Sequence, residues 1–388
     1  MTKEPLDNIR IAINDLDREL LKLLADRRDL VRQVAEVKTK HGIALRDKTR
    51  ENQLLSKLIR LGREEQLDSH YILDIFHRVI DDSLQVQQAY LQERVTDIDF
   101  GDIKVAHLGD EGSYSYLASE KHFATSANTI HHLSCDDFAE TMVTVIDGLA
   151  DVAILPIENT TSGGINEVYD LLVDCPLHII GEELLKIEHC LIAKGSSNLT
   201  DIDTVIAHPQ AATQCQKSLK KMGIEHIEYI NSTAHALQKV ANEQRPNIAA
   251  LAGHQSAAIF DLLVLATDMA DQKENFSRFV ILAPEPRAVH ASLPCKTTLM
   301  VATQQKAGAL VDALMVFQEY QINLTKLESR PIIGNPWEEM FYIDLEGNIS
   351  EPNVTEAIDK LSQMCRFVKV LGSYPSANRQ VTKIKTPA

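Results

Sequence analysis

Apolar residues over positions 1–95 recur every three or four places, the period of an amphipathic helix. Ile9, Ile13, Leu16, Leu20, Leu23, Leu30, Val34 and Val37 mark one helix from about Leu6 to Lys40. Leu54, Leu58 and Leu61 mark a second, from about Arg46 to Leu61. Ile72, Ile75, Phe76, Val79 and Ile80 mark a third, from about Asp68 to Gln92. Gly42 and Gly62 separate the three. A first helix of about 35 residues spans roughly 50 Å. That is too long for a compact three-helix monomer, so a second copy of the chain is expected to pack along it.

From Ile103 the texture changes. Short apolar runs at 103–108, 151–155, 177–181, 189–193, 203–207, 247–252 and 278–283 read as strands. Helical patterns fall near 114–123, 136–149, 164–173, 209–221, 232–243 and 254–261. The alternation predicts an α/β domain with mostly parallel strands. Residues 96–102 read as one linker, and the stretch 284–295, with Pro284, Pro286 and Pro294, as another. Then come strand 297–302, helix 308–320, strands 322–330 and 339–345, helix 353–364 and strand 366–373. That βαββαβ order is ferredoxin-like. Domains are therefore expected at 1–95, 103–284 and 296–376.

Hydrophobic content of 44% and charged content of 24% are those of a globular protein. A net charge of −16 argues against a nucleic-acid partner. The acidic excess falls after residue 100, and the helical region is close to neutral. Any anionic ligand must therefore be captured by local cations and helix N-termini against the global field. The six cysteines, at 135, 175, 190, 215, 295 and 365, include no C-x-x-C pair, so a disulfide framework or zinc site is not expected and a reducing cytoplasm is. Neither a signal core nor an apolar run of membrane-spanning length is visible.

The helical region places polar residues on apolar stripes. The stripe 16, 20, 23 continues to Arg27 and Lys38; the stripe 54, 58, 61 extends back to Asp47, Arg50 and Glu51; the third continues to Ser83 and Gln87. Charges on such faces are excluded unless paired or liganded. Taken singly, each residue reads as a structural ion pair; taken together, they read as a pocket. The region resembles the all-helical chorismate mutase domain, in which two copies intertwine through the long first helix. The resemblance implies that Arg10 from the other copy and Arg27 clamp carboxylates and that Arg50 supports them. Lys38 and Gln87 would donate to the ether oxygen, Asp47 and Glu51 would orient the ring hydroxyl, and Ser83 would hold a carboxylate. Such a rearrangement needs a held conformer and stabilised charge, not a nucleophile.

In the central region an apolar run, Val152 to Leu155, enters Pro156-Ile157-Glu158-Asn159-Thr160-Thr161-Ser162-Gly163-Gly164, and a helical pattern from Ile165 leaves it. Hydroxyls, amides and free N–H groups at the start of a helix suit an anion. This segment, with Leu108 to Ser115, Ala207-His208-Pro209-Gln210 with Gln214, and Asn275-Phe276-Ser277-Arg278-Phe279, resembles the prephenate dehydratase family. The resemblance implies a two-lobed, periplasmic-binding-protein-like α/β domain whose cleft holds the substrate. Ser277 would protonate the leaving hydroxyl, helped by Arg278; a free serine is too weak an acid alone. Glu158, Asn159 and Gln214 would orient the substrate, and Thr160, Ser162 and Ser113 would contact carboxylates. His208 is a substrate contact on the family pattern and a structural residue on its local sequence. His131-His132 reads as a solvated pair. Ser277, Asp110 and Ala207 stand where the family pattern has Thr, Pro and Ser.

Residues 296–376 resemble an ACT domain, a βαββαβ module that binds amino acids between paired copies. Gly308-Ala309-Leu310-Val311 and Glu328-Ser329-Arg330-Pro331 match the motifs tied to phenylalanine there, and Trp337 lies near enough to report on a ligand. Together the three resemblances imply an enzyme of phenylalanine biosynthesis, a homodimer or larger, that converts chorismate to prephenate and then to phenylpyruvate under phenylalanine feedback. They imply no metal or organic cofactor. A rival enzyme of the tyrosine branch would need G-x-G-x-x-G after a strand, which the sequence lacks. A second rival is a non-catalytic amino-acid-binding regulator.

Overall fold

The computed structural model describes residues 4–41, 43, 46–96, 101–124, 126–332 and 338–377. Trp337 and Gly42 lie outside the described residues. The chain divides into two compact units: Met1–Ile98 forms the body of one, and Asp99–Val289 with Pro294–Asn378 forms the other.

The first unit is helical: α1 (Glu4–Lys40), α2 (Lys48–Glu64) and α3 (Ser69–Thr96). Gly62 does not end α2, as the spacing predicted; it lies inside the helix and is buried. A Cβ there would lie 2.0 Å from Ile72 Cδ1, so a larger residue would make the Ile72 side chain of α3 shift. Among the described side chains of α1 the buried apolar residues are Val31 and Ala35, whereas Ile9, Leu16, Leu20, Leu23 and Leu30 are 56–66% exposed. An apolar stripe of that length left in water marks an association surface.

In the second unit, β1 (Asp102–Leu108), α4 (Tyr114–Phe123), β2 (Thr129–Cys135), α5 (Phe138–Ile146), β3 (Val152–Asn159), β4 (Gly163–Gly164), α6 (Asn166–Leu172) and β5 (His178–Lys186) build one lobe. A second lobe follows: β6 (His189–Ala193), β7 (Thr204–Ala207), α7 (Pro209–Gln214), α8 (Gln216–Met222), β8 (His226–Tyr229), α9 (Thr233–Asn242), β9 (Ile248–Gly253), α10 (His254–Ile259) and β10 (Leu263–Ala266). The chain then returns to the first lobe as β11 (Phe276–Ala283), which inserts between β3 and β5.

Both sheets are mixed, which corrects the expectation of mostly parallel strands. β1 pairs parallel with β2 and β3, and β7 with β8 and β9, but β11 runs antiparallel to both its neighbours and β6 to β9 and β10. The reversals occur where the chain crosses between lobes, which no local pattern encodes. The sequence pattern does not mark β2, β8 and β10: β8 and β10 span only four residues each, and β2, at seven, has a single buried position. His132 is not solvated: its ring packs 4.3 Å from that of Tyr116 and its Nε2 lies 2.8 Å from Glu120.

The chain ends in β12 (Cys295–Ala302), α11 (Ala309–Glu319), β13 (Leu324–Pro331), β14 (Glu339–Glu346), α12 (Pro352–Met364) and β15 (Phe367–Pro375), an antiparallel sheet in the order β13-β14-β12-β15. Alternation along β12 sends Leu299 and Val301 toward α11 and α12, and Met300 and Ala302 toward the first lobe. Met300, Tyr342, Leu371 and Tyr374 share one core with Tyr169, Leu177 and Ile179.

Candidate functional sites

In the helical unit, α1 and α3 bring Arg27 to Ser83. The Arg27 guanidinium donates to the Ser83 hydroxyl and to Val79 O at 3.1 Å. Gln87, buried one turn on, donates to Ser83 O at 3.1 Å and leaves its Oε1 buried without a partner. Lys38 lies near Asp47, Arg50 and Glu51; burial, then Arg50, pulls its ammonium below the ordinary lysine value. Asp47 caps α2, accepting from Arg50 N at 3.0 Å. Glu51 is held by Arg46 through bonds of 3.0–3.3 Å, a residue that sequence reasoning passed over. Arg10 is exposed on α1 beside Asp7, apart from this group in a single copy.

In the second unit the register of β3 against β11 organises the site. Asn159 pairs with Ser277, and Glu158 with Arg278. Neighbours along a strand face opposite sides of its sheet, so these are two sites back to back. On one face Asn159 Nδ2 donates to Ser277 Oγ at 3.0 Å and to Asn275 Oδ1 at 2.8 Å. Asn159 Oδ1 accepts from the backbone N–H groups of Thr161 and Ser162 at 2.9 and 3.1 Å. Gln214 donates to Thr161 Oγ1 at 2.7 Å and accepts from Asn275 at 3.0 Å. Thr161, Ser162, Gln210, Gln214 and Asn275, with Lys217, line a cavity of about 370 Å³.

On the other face Arg278, 5% exposed, meets Glu158 at 2.6 Å, Glu182 at 3.0 Å and Asp344 at 2.8 Å. Lys296 adds a second cation to Glu182 at 2.8 Å, and Lys326 pairs with Glu158. Burial works to raise the Glu158 carboxyl, but Arg278 and Lys326 outweigh it and hold it below the usual carboxylate range. Arg278 is therefore turned away from Ser277, against the expectation that it assists it, and Glu158 joins the first lobe to the βαββαβ domain.

Other expected contacts have structural partners here. Ser113 caps α4, accepting from Tyr116 N at 3.2 Å and donating to Leu108 O. Thr160 bonds Glu274 O and Phe276 N, tying the loop to β11. His208 caps α7 through Gln210 N at 3.2 Å, and burial lowers its pKa. The loop does not present its hydroxyls to a helix N-terminus: α6 begins only at Asn166, and Thr161 and Ser162 turn instead toward Asn159. Sequence reasoning missed His189, Tyr114 and the full role of Asn275. The signal for His189 was a lone ring nitrogen pair in an otherwise apolar strand.

At the start of α11, Gly308 adopts φ +83° and opens a cavity of about 320 Å³ lined by Ala309, Leu310, Val311, Phe341 and Arg366. Glu328, Ser329, Arg330 and Pro331 lie elsewhere, on the edge strand β13. Arg330 forks onto Asp170 at 2.7 and 3.0 Å, and Glu328 lies 3.6 Å from Lys326. One copy does not bring the two motifs together.

A helical unit that gathers half-buried cations and amides, a two-lobed α/β domain with an amide- and hydroxyl-lined cleft, and a ferredoxin-like module with a cavity at a helix start point to a multidomain enzyme of small organic acids. The family models agree: Chorismate mutase type II matches residues 9–88, Prephenate dehydratase 105–287 and ACT domain 297–363. The bifunctional chorismate mutase/prephenate dehydratase of Escherichia coli K12 is 44% identical over 97% of this chain and 98% of its own length. Among solved structures, a prephenate dehydratase from Arthrobacter aurescens in complex with L-Phe covers 73% of this chain and 93% of its own, at 27% identity and TM-score 0.65. A quorum-quenching acylase, GqqA, covers 71% of this chain and 98% of its own, at 30% identity and TM-score 0.64. The chain belongs to the bifunctional chorismate mutase/prephenate dehydratase family, with an ACT domain following the dehydratase. The non-catalytic regulator finds no support in these matches. No helix among the described residues is long and apolar enough to cross a membrane.

Proposed function

We propose that the segments 1–95, 103–284 and 296–376 act as mutase, dehydratase and phenylalanine sensor of one cytoplasmic homo-oligomer. In the first, the ether C–O bond of chorismate breaks as a C–C bond forms, with no atom gained or lost. Arg27, Arg50 and a partner copy's Arg10 hold the carboxylates. Lys38 and Gln87 donate to the ether oxygen, where charge develops. Asp47 and Glu51 orient the ring hydroxyl, and Ser83 helps set Arg27. The unpartnered, buried Oε1 of Gln87 is an acceptor and supports a guest that carries a donor group beside it, while the second hydrogen of Nε2, whose first goes to Ser83 O, is the one left for the ether oxygen. The exposed stripe of α1 supports the second copy.

In the second, the bond to the ring carboxylate of prephenate breaks with release of carbon dioxide, and its electron pair aromatises the ring and expels the hydroxyl, which leaves as water. Ser277 donates to that leaving oxygen and recovers its proton from solvent. Asn159 and Gln214 orient the substrate, with Thr160, Ser162, Ser113 and His208 around it, and Lys217 supplies local positive charge. Glu158 and Arg278 act from behind the sheet. The observation that carries this reading is Ser277 Oγ bonded by Asn159, which also bonds Asn275, Thr161 and Ser162 of the wall of the 370 Å³ cavity.

Phenylalanine binds at Gly308, Ala309, Leu310 and Val311, with Glu328, Ser329, Arg330 and Pro331 contributed across an ACT pair. It inhibits by favouring one conformation. The Arg278 network, which joins Asp344 of the sensor to strands β3 and β11, is the route. Chorismate turnover, with prephenate and phenylpyruvate resolved with and without phenylalanine, tests all three. Phenylpyruvate that falls on adding phenylalanine is expected; prephenate accumulating alone would sink the dehydratase assignment.

A further inference from the structure

The dehydratase cleft contains a chain of amide, hydroxyl and ring groups whose direction is fixed from one end. Asn159 Oδ1 faces two backbone N–H groups, of Thr161 and Ser162, and Asn159 Nδ2 lies 3.2 Å from the backbone oxygen of Phe276. Backbone groups cannot exchange donor for acceptor, so this amide has one possible orientation. The consequences propagate. Asn275 must accept from Asn159 through Oδ1, so its Nδ2 donates to Gln214 Oε1. With Oε1 accepting, Gln214 donates through Nε2 to Thr161 Oγ1. His189 Nε2 sits 2.8 Å from the same Gln214 Oε1, so that nitrogen must carry the proton. Nδ1 is then an acceptor, and Tyr114 Oη, 3.0 Å away, donates to it.

At the other end Ser277 Oγ accepts from Asn159. Its own hydrogen has no acceptor among the described residues. A hydroxyl bound in that way is left to donate outward.

We infer that Tyr114 and His189 are positioning residues of the dehydratase: they lock one direction of this chain, so that Asn159 always donates to Ser277 and Ser277 is free to donate to substrate. The inference rests on the proposed role of Ser277. His189 is 2% exposed, and burial lowers its pKa, which keeps the ring neutral as the chain requires. The opposite tautomer would set a lone pair against Gln214 Oε1. Relief would require Gln214 and then Asn275 to turn over, driving two NH₂ groups together at Asn159, which cannot turn. Tyr114 favours the Nε2–H tautomer by donating to Nδ1; in the opposite tautomer its hydroxyl would accept from Nδ1–H and its own hydrogen would need another acceptor.

The test uses the full-length protein and three variants. His189→Met removes the donor, His189→Gln keeps one near the Nε2 position, and Tyr114→Phe frees Nδ1. With prephenate as substrate, His189→Met is expected to lose about ten- to a hundredfold in kcat with KM little changed. His189→Gln should recover much of that loss, and Tyr114→Phe should lie between. Calorimetry of the same samples reports whether the unit that contains the cleft is folded, which mutase turnover, a property of the other unit, does not. Should His189→Met not fold, the other two variants carry the test.

On the wild type, nitrogen-15 NMR of labelled histidine should find His189 as the Nε2–H tautomer, which a merely space-filling role would not require. The Nδ1–H tautomer, or kcat within twofold of wild type in all three variants, overturns the inference. Ser277→Ala separates the two readings. If it keeps its rate while His189→Met loses it, the donor role of Ser277 fails and the positioning of Asn159 stands. If Ser277→Ala loses its rate and His189→Met does not, the positioning inference fails alone. The double variant should be no slower than Ser277→Ala.

Discussion

Gly372 lies in β15 where that strand crosses β5 of the first lobe. A Cβ added there would stand 2.0 Å from Ile179 O, 2.8 Å from its C and 2.9 Å from its N, and real Cβ contacts essentially never fall under 3.0 Å. The obstacle is backbone, and β5 cannot step aside because β11 pins it, with Leu282 opposite Ile179. Gly372→Ala therefore forces the two domains about 1 Å apart at this point. The same seam carries Lys369 to Cys175 O at 2.8 Å, Lys296 to Glu182 at 2.8 Å and Arg278 to Asp344 at 2.8 Å. An added ångström takes each beyond hydrogen-bonding distance. Losing all three charge-assisted bonds at about 1.5–3 kcal/mol each gives roughly 4.5–9 kcal/mol, a large share of a typical domain's stability. Calorimetry of the full chain should show the transition that phenylalanine shifts moving to much lower temperature, with mutase activity retained below it. Gly195→Ala, where nothing lies within 4 Å of the new carbon, is the control and should be neutral. If Gly372→Ala melts with its control, the packing of β15 on β5 is wrong, and with it the proposed route of feedback.

Lys38→Met should lower mutase kcat by about 10²–10³, the loss typical of one transition-state donor, and leave prephenate turnover unchanged; intact mutase activity would remove Lys38 from the ether oxygen. Gly62→Ala gains about 1 kcal/mol of helix propensity but overlaps Ile72 Cδ1 at 2.0 Å, so urea unfolding should show a net loss of about 1 kcal/mol, part of which Ile72→Val restores. Burial works to raise the Glu183 carboxyl, but His122 and Lys121 win and hold it at about 2. A depressed carboxylate contributes stability above its unfolded pKa and loses it as pH falls toward the folded value. Glu183→Gln should therefore cost about 2–3 kcal/mol at pH 7. The deficit should shrink as pH is lowered below about 4.5; a gap independent of pH in urea titrations would contradict the pairing.

Much of the architecture is legible in the chain because burial imposes its period locally. The 3.6-residue rhythm of Ile9 to Val37 specifies α1 whatever else is present, and the order of apolar runs after Cys295 specifies βαββαβ. The same rhythm exposes Arg27, Lys38, Ser83 and Gln87 as polar residues where apolar ones belong, so the candidate mutase pocket is visible before any fold is known. Asn159, Ser277 and Gln214 are equally visible as amides and hydroxyls at strand and helix ends.

The sequence by itself thus determined the elements, their order and the chemical vocabulary of each region. Only the tertiary structure decided which words belong together. Glu158 and Asn159 are adjacent in the chain, as are Ser277 and Arg278, yet the pleat sends Asn159 and Ser277 to the hydrogen-bonded group with Asn275, and Glu158 and Arg278 to a buried ion network. That network draws Glu182, Lys296, Lys326 and Asp344 from four further strands. His189 reaches Gln214 and Tyr114 only because β6 and α4 meet at the cleft. Which face a strand residue takes depends on the register of β11 against β3. That register is set when the two sheets and the βαββαβ domain bury their apolar faces at once, by contacts more than a hundred residues apart. Local periodicity cannot encode a choice that is made between distant segments.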